Sequence, residues 1–298
     1  MMRLPSLRRP LRRDHWQRKI AQLDPETDWP DISSIVFGHE FPWDIQRSTE
    51  LALFRTYAVP EIGELLAATR AFIDHTEKRF DDTAIVLVES GLYVGGESDD
   101  ATAIRRLNQM HGAYDIPNDQ MLYVLSTFVV TPCRWIDRYG YRKLTEAELV
   151  SIVRYWQRFG QLMGIRDIPP DYAGFADYYD TYERDRFAFS SGGRAVADAT
   201  LGLLLSWFPT QLRPVIHGAL MSLLEPHLRR ALNYADPPPT VAAAVQVALG
   251  LRKALVARMP ARRDRLSPLD TMRLRTYPTG YDIAKVGTFP TRRVSSVD

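Results

Sequence analysis

A histidine on an apolar helical face is the residue best placed to do chemistry in this chain. His111 lies in the run Ala103–Tyr114 (AIRRLNQMHGAY), where Ile104, Leu107, His111 and Tyr114 recur at steps of three and four. That period puts them on one side of a helix. The side is apolar, so the imidazole points into a core, and a buried imidazole needs partners for its ring nitrogens. It is either a core histidine bonded to a carbonyl or carboxylate, or a metal or haem ligand; spacing alone favours the first. Earlier in the chain, Arg79-Phe-Asp-Asp-Thr83 sets Arg79 and Thr83 four apart on a shared face. Two helices carrying these groups can face each other across a flat cofactor. A surface ion pair explains Arg79 and Asp82 equally well.

The run from Arg105 to Val129 (RRLNQMHGAYDIPNDQMLYVLSTFV), followed by Arg134-Trp-Ile and Tyr139-Gly-Tyr-Arg142, resembles the MpaB oxygenase family, which is related to the latex-clearing rubber oxygenases. The resemblance extends from Phe41-Pro-Trp-Asp44 to Thr276-Tyr-Pro-Thr-Gly-Tyr281. No single motif is diagnostic, and the ordered set is more specific than any part. The resemblance implies an all-helical fold, a b-type haem held between helices, and His111 as the proximal iron ligand. In latex-clearing proteins the distal helix carries R-x-x-K-T at a similar offset. Arg79 and Thr83 match its arginine and threonine, whereas Asp82 stands where the lysine would be. A carboxylate is a poor substitute for a neutral amine. Asp82 therefore leaves the iron open to dioxygen, or serves as a general base.

In such a site a proximal histidine fixes the iron and tunes its potential. Arg79 would stabilise developing negative charge or hold a propionate, and Thr83 would donate to oxygen at the iron. Arg105 and Arg106 flank the proximal helix and are candidates to pair with propionates, although a solvated face accounts for them too. Phe80, Val86, Leu122, Phe128 and Trp135 are candidate pocket walls and equally ordinary core residues. The implied reaction uses dioxygen to cleave a carbon–carbon double bond in an apolar, isoprenoid-like substrate. Two alternatives stay open: a haem protein that uses peroxide or moves electrons, and a non-catalytic helical module that binds an apolar ligand.

The elements that must position these groups are helices. Asp44 to about Tyr57 reads as one, with Leu51, Leu53 and Phe54 inward. Pro60 opens the next, which continues through Leu65, Leu66 and Phe72. His75 to Ser90 reads as a third, although its Ala84-Ile-Val-Leu-Val run has strand propensity. Ser98 or Asp99 caps the helix of His111, Pro117 stops it, and Asn118 or Asp119 caps the one after. Thr145-Glu-Ala-Glu148 is a capping box for a helix that ends near Gly164. Further helices are expected over 171–186, 193–207, 211–234 and 239–258. The expected architecture is one all-α domain over 31–258, with a loose basic arm over 1–30 and a basic tail over 259–298.

Composition sets outer limits. The 298 residues are 45% hydrophobic, enough for a sizeable core. A single cysteine, Cys133, rules out an internal disulfide and a thiolate-rich metal site, and reads as a small buried residue. The net charge of +2 is uneven: residues 1–20 hold seven Arg/Lys and one acid, and residues 252–298 hold eleven and four. These ends read as solvated, and no aromatic residues interleave with them as a nucleic-acid platform requires. The N-terminus lacks the apolar run of a secretory signal. The longest apolar stretch, Ala195 to Phe208, is too short to span a bilayer. The fungal relative is membrane-anchored, but no such anchor is legible here, so a cytoplasmic protein, soluble or peripheral to a membrane, is expected. The oligomeric state is not legible.

Overall fold

A computed structural model describes residues 9–287. Those residues form an all-α protein with one isolated antiparallel bridge, Leu11 to Ala261. The helices are α1 (His15–Ile20), α2 (Trp29–Ile35), α3 (Pro42–Arg55), α4 (Pro60–Ala68), α5 (Ala71–Asp74), α6 (Thr76–Val94), α7 (Thr102–His111), α8 (Asn118–Tyr139), α9 (Glu146–Leu162), α10 (Tyr172–Arg186), α11 (Ser191–Ser206), α12 (Arg213–Leu223), α13 (Pro226–Ala231), α14 (Pro239–Arg258) and α15 (Pro268–Thr271). A π-helical segment, Val36–Glu40, joins α2 to α3.

The main core lies among α2, α3, α8, α9 and α10, where Phe41, Tyr123, Ile136, Ile152, Phe175 and Tyr179 are sealed from solvent. A second core joins the end of α3 to α11 and α13 through Val196, Ala197 and Leu228. Between the two sits a buried ionic node. Arg55 donates to both oxygens of Glu183 at 2.7 and 2.5 Å, and Tyr123 and His227 bond the same carboxylate at 3.0 and 2.8 Å. Burial pushes Glu183 up, but the bonds from His227 and Arg55 outweigh it and hold its pKa down at about 2. Backbone contact joins α4 to α11. A Cβ at Gly63 would lie 2.5 Å from the Gly193 Cα, and one at Gly193 would overlap the Tyr57 carbonyl.

Several local expectations hold. The Thr145 capping box is formed, with Glu148 N–H donating to Thr145 Oγ1 at 3.3 Å and Thr145 N–H to the Glu148 carboxylate at 2.8 Å. Gly164 follows α9 at φ 73°. Cys133 is buried, and burial pushes its thiol pKa up to about 12.

The Ala84–Val88 run is helical, as the reading of 75–90 expects, because Ile85 and Val86 face a core formed with α7 and the tail. Others are corrected. The segment 211–234 is two helices, since Pro226 cannot continue the first. The N-cap position of α7 is Ala101, with Asp100 just before it accepting from Thr102 N–H at 2.9 Å, and α7 ends at His111, well before Pro117. The described part of the N-terminal arm is not loose: it holds α1, with Ile20 buried, and the start of α2.

The tail is also part of the fold. Leu266 N–H donates to the Gly38 carbonyl at 3.0 Å, and Val286 is fully buried against Met110, Ile85 and Val86. The rest of the arm and tail, residues 1–8 and 288–298, lies outside the described residues.

Candidate functional site

α6 and α7 pack on each other and wall one side of a large internal cavity of about 690 Å³. Its lining is overwhelmingly apolar. Phe80 and Leu87 come from α6, Leu107 from α7, Val124 and Phe128 from α8, and Trp156 from α9. Phe128 and Trp156 stack with ring centroids 4.8 Å apart. Of the pocket walls expected from sequence, Phe80, Val86, Phe128 and Trp135 line it, whereas Leu122 is buried in the main core.

His111 is on the cavity wall, and Leu107 and Tyr114 of the same face are beside it. Its Nδ1 is sealed and has no hydrogen-bond partner. Burial, reinforced by the Arg79 charge, drives its pKa down to about 4. The imidazole is therefore neutral at physiological pH, the form that can give a lone pair to a metal. The bland sequence reading required a carbonyl or carboxylate partner, and the structure supplies none to Nδ1. None of the other histidines lines the cavity: His39 stacks on Trp16, His227 bonds Glu183, and His217 packs edge-on to Tyr234.

Arg79 and Thr83 share the cavity with His111, as their spacing predicts. The Arg79 guanidinium makes no ion pair among the described residues. Its nearest ring contact is Phe72, with Cζ 5.1 Å from the centroid. Burial depresses its pKa, while Asp82, Tyr57 and Tyr114 act the other way. A buried cation without a carboxylate partner is costly unless an anion joins it. Thr83 Oγ1 donates to the Arg79 carbonyl at 2.7 Å, so its proton is engaged within the helix and its oxygen is left to accept.

Three expected residues are elsewhere. Asp82 is buried but off the cavity wall: Lys78 Nζ holds its two oxygens at 3.0 and 2.8 Å, and the Tyr277 hydroxyl donates to it. Arg105 is exposed and donates to Thr102 Oγ1 at 2.9 Å. Arg106 is buried and donates to the Val286 carbonyl at 2.7 Å. Neither lines the cavity.

Several polar cavity groups went unremarked in the sequence, among them Arg47, Glu50, Glu97, Gln120 and Arg265. Glu50 of α3 lines the wall, and burial lifts its pKa to about 7 even though Arg47 sits 2.6 Å away and pulls it down. The signal was present, since Glu50 falls beside the inward Leu51 and four before Phe54. Among the described residues, no group of three or more His, Cys, Asp or Glu is arranged to hold a bare metal ion.

The chain is similar to ER-bound oxygenase mpaB′ of Penicillium brevicompactum, 29% identical over 72% of this chain and 55% of that protein. ER-bound oxygenase mpaB of the same organism is 28% identical over 69% of this chain and 57% of its own length. ER-bound oxygenase mpaB of Penicillium roqueforti is 27% identical over 66% of this chain and 72% of that protein. The chain thus spans a little over half the length of the first two. Residues 51–257, which carry Arg79, Thr83 and His111, match the family described as ER-bound oxygenase mpaB/B′/rubber oxygenase, catalytic domain, and the chain belongs to that family.

Proposed function

We propose that this protein is a haem-b-dependent oxygenase acting with dioxygen on an apolar, isoprenoid-like substrate. The reading places it in the cytoplasm, peripheral to a membrane. The observation that carries it is a neutral imidazole, its Nδ1 sealed, sharing one large apolar cavity with a guanidinium that makes no ion pair among the described residues. These residues fit a haem. A macrocycle brings four of its own ligands, so a single histidine suffices where no cluster for a bare ion exists. The propionates and any negative charge developing on oxygen are anions of the kind Arg79 lacks.

Bound there, the haem supplies the iron at which dioxygen is activated. The chain's own part is positional and electrostatic. His111 would hold the iron. Arg79 would stabilise an anionic neighbour in a site with little water to screen it. Glu50, poised near neutrality, can hold or release a proton at its carboxyl. The apolar wall aligns a hydrocarbon chain and excludes water. Both atoms of one dioxygen enter the substrate, and one carbon–carbon double bond becomes two carbonyls, so no external electrons are required.

The test is optical, then chemical. The purified protein should show a Soret band, and His111→Ala should lose stoichiometric haem while keeping its helical circular dichroism. A Soret band unchanged in His111→Ala sinks the ligand assignment. Oxygen uptake with a polyprenyl substrate and no added peroxide separates this activity from a peroxide-using haem protein.

A further inference from the structure

α14 is apolar on both of its sides. The side turned toward the protein carries Val241, Val245, Leu249 and Val256 together with Arg252 and Lys253, and the outward side carries Ala243, Val247, Leu251, Ala254 and Leu255. Val247, Leu251 and Leu255 are 62, 67 and 62% exposed. No residue of α14 is fully buried, and its most apolar window has a mean hydropathy of 1.4. By length and composition it could cross a membrane, which the reading of the sequence missed. Two polar side chains that tie it to the body argue that it lies flat instead. Arg252 donates to both Asp44 oxygens at 2.9 Å and stacks 3.7 Å above the Trp43 ring, and Gln246 donates to the Tyr139 hydroxyl at 3.1 Å. These bonds hold α14 against the body along its length.

The cavity comes to the surface beside this helix. Trp207 and Phe208 line the cavity and are each 39% exposed. Val245 and Leu249 of α14 and Ile216 of α12 line it too. Leu212 and Val215 continue the apolar surface past the mouth at 50 and 56% exposure.

Charge supplies the third observation. α14 contains no acidic residue. Arg213, Lys253, Arg258 and Arg262 form no ion pair among the described residues. The two basic ends, far apart in sequence, meet just past the C-terminus of α14: Leu11 bridges Ala261, Trp16 Nε1 donates to the Arg262 carbonyl at 2.7 Å, and Arg263 donates to the Arg9 carbonyl at 2.8 Å.

We propose that α14 and the Trp207–Val215 segment dock the protein on an anionic lipid bilayer, with the cavity mouth open to the acyl layer. An apolar helix face gains free energy by sinking to the headgroup boundary, and basic residues beside it add attraction to anionic lipid. A second copy of the chain could cover the apolar stripe but would leave the basic cluster unmatched. An apolar ligand then passes from bilayer to cavity without crossing water. The docking rests on surface features and not on the haem reading. A Soret band without vesicle binding, or vesicle binding without a Soret band, tells the two apart.

The test is co-sedimentation of the full chain with phosphatidylcholine vesicles, with and without phosphatidylglycerol. Binding should require the anionic lipid and weaken with salt. Combined Val247→Gln, Leu251→Gln and Leu255→Gln should lower partitioning at least about tenfold, with helical circular dichroism unchanged because all three side chains are exposed. Lipids brominated in their acyl chains should quench tryptophan fluorescence, and Trp207→Phe should remove most of that quenching. Absence of binding to either vesicle overturns the proposal, as does full binding by the triple variant. It is equally overturned if light scattering shows a dimer that the triple variant converts to monomer, since the stripe would then be a subunit interface.

Discussion

At the scale of single residues, two cavity groups titrate far from their usual positions, in opposite directions. His111 binds its proton only below about pH 4 when folded, against about 6.5 when unfolded. Between those values the unfolded chain holds more protons, so stability rises as pH goes from 4 to 6.5 and levels above. Haem-free protein should therefore lose roughly 2 kcal/mol through this group as pH falls across that window. His111→Leu should flatten the slope, and an unchanged slope would mean that the imidazole is not sealed. Glu50 behaves in the reverse sense. Its folded pKa of about 7 lies above the ordinary carboxyl value, so the folded state resists its ionisation. Glu50→Gln should stabilise the protein by about 1–3 kcal/mol at pH 8, where wild type carries a half-buried charge, and by nothing measurable near pH 4. Chemical denaturation at the two pH values reads this directly.

At the scale of elements, the cavity depends on how helices approach each other. α4 and α11 meet backbone to backbone at Gly63 and Gly193, and this closeness sets where α11 delivers Leu201 and Leu204 to the cavity wall. Gly193→Ala would drive a methyl into the Tyr57 carbonyl. It should cost about 1–3 kcal/mol in thermal or denaturant unfolding, and a neutral result would show that α11 can slide freely. The Arg55–Glu183 node does the same work between α3 and α10. Arg55→Ala strands a buried carboxylate and should cost about 3–5 kcal/mol, measured by the same denaturant titration.

At the scale of the whole molecule, the C-terminal segment straps the outer side of α6 while the cavity lies on the inner side. Tyr277 and Lys78 hold Asp82, the Thr276 hydroxyl donates to Asp81 at 2.7 Å, the Tyr281 hydroxyl to Glu89 at 2.5 Å, and Arg106 to the Val286 carbonyl. The strap braces the helix that presents Arg79 and Thr83. Asp82→Asn and Tyr277→Phe should therefore behave alike, each making the region after Ser267 more open to limited proteolysis while leaving His111-dependent haem binding in place. A loss of turnover in Asp82→Asn that Tyr277→Phe does not share would return Asp82 to the chemistry.

The sequence by itself determined the helical class, the face of α7 that carries His111, the pairing of Arg79 with Thr83 and the family, because each follows from local period or ordered motif. Helical spacing of three and four fixes which side chains share a face whatever surrounds them. It does not fix which face meets a cavity and which meets another segment. Asp82 is one position from Thr83, yet it lies off the cavity wall and bonds Tyr277 of the tail, nearly two hundred residues later. Arg106 likewise donates to the Val286 carbonyl of the tail. Glu50 became a neutral-range acid only because α3 was buried against the cavity, and α14 became an exposed apolar stripe only because Arg252 found Asp44 from far along the chain. Partners distant in sequence decide burial, and burial decides which charges survive and which surfaces must meet something other than water.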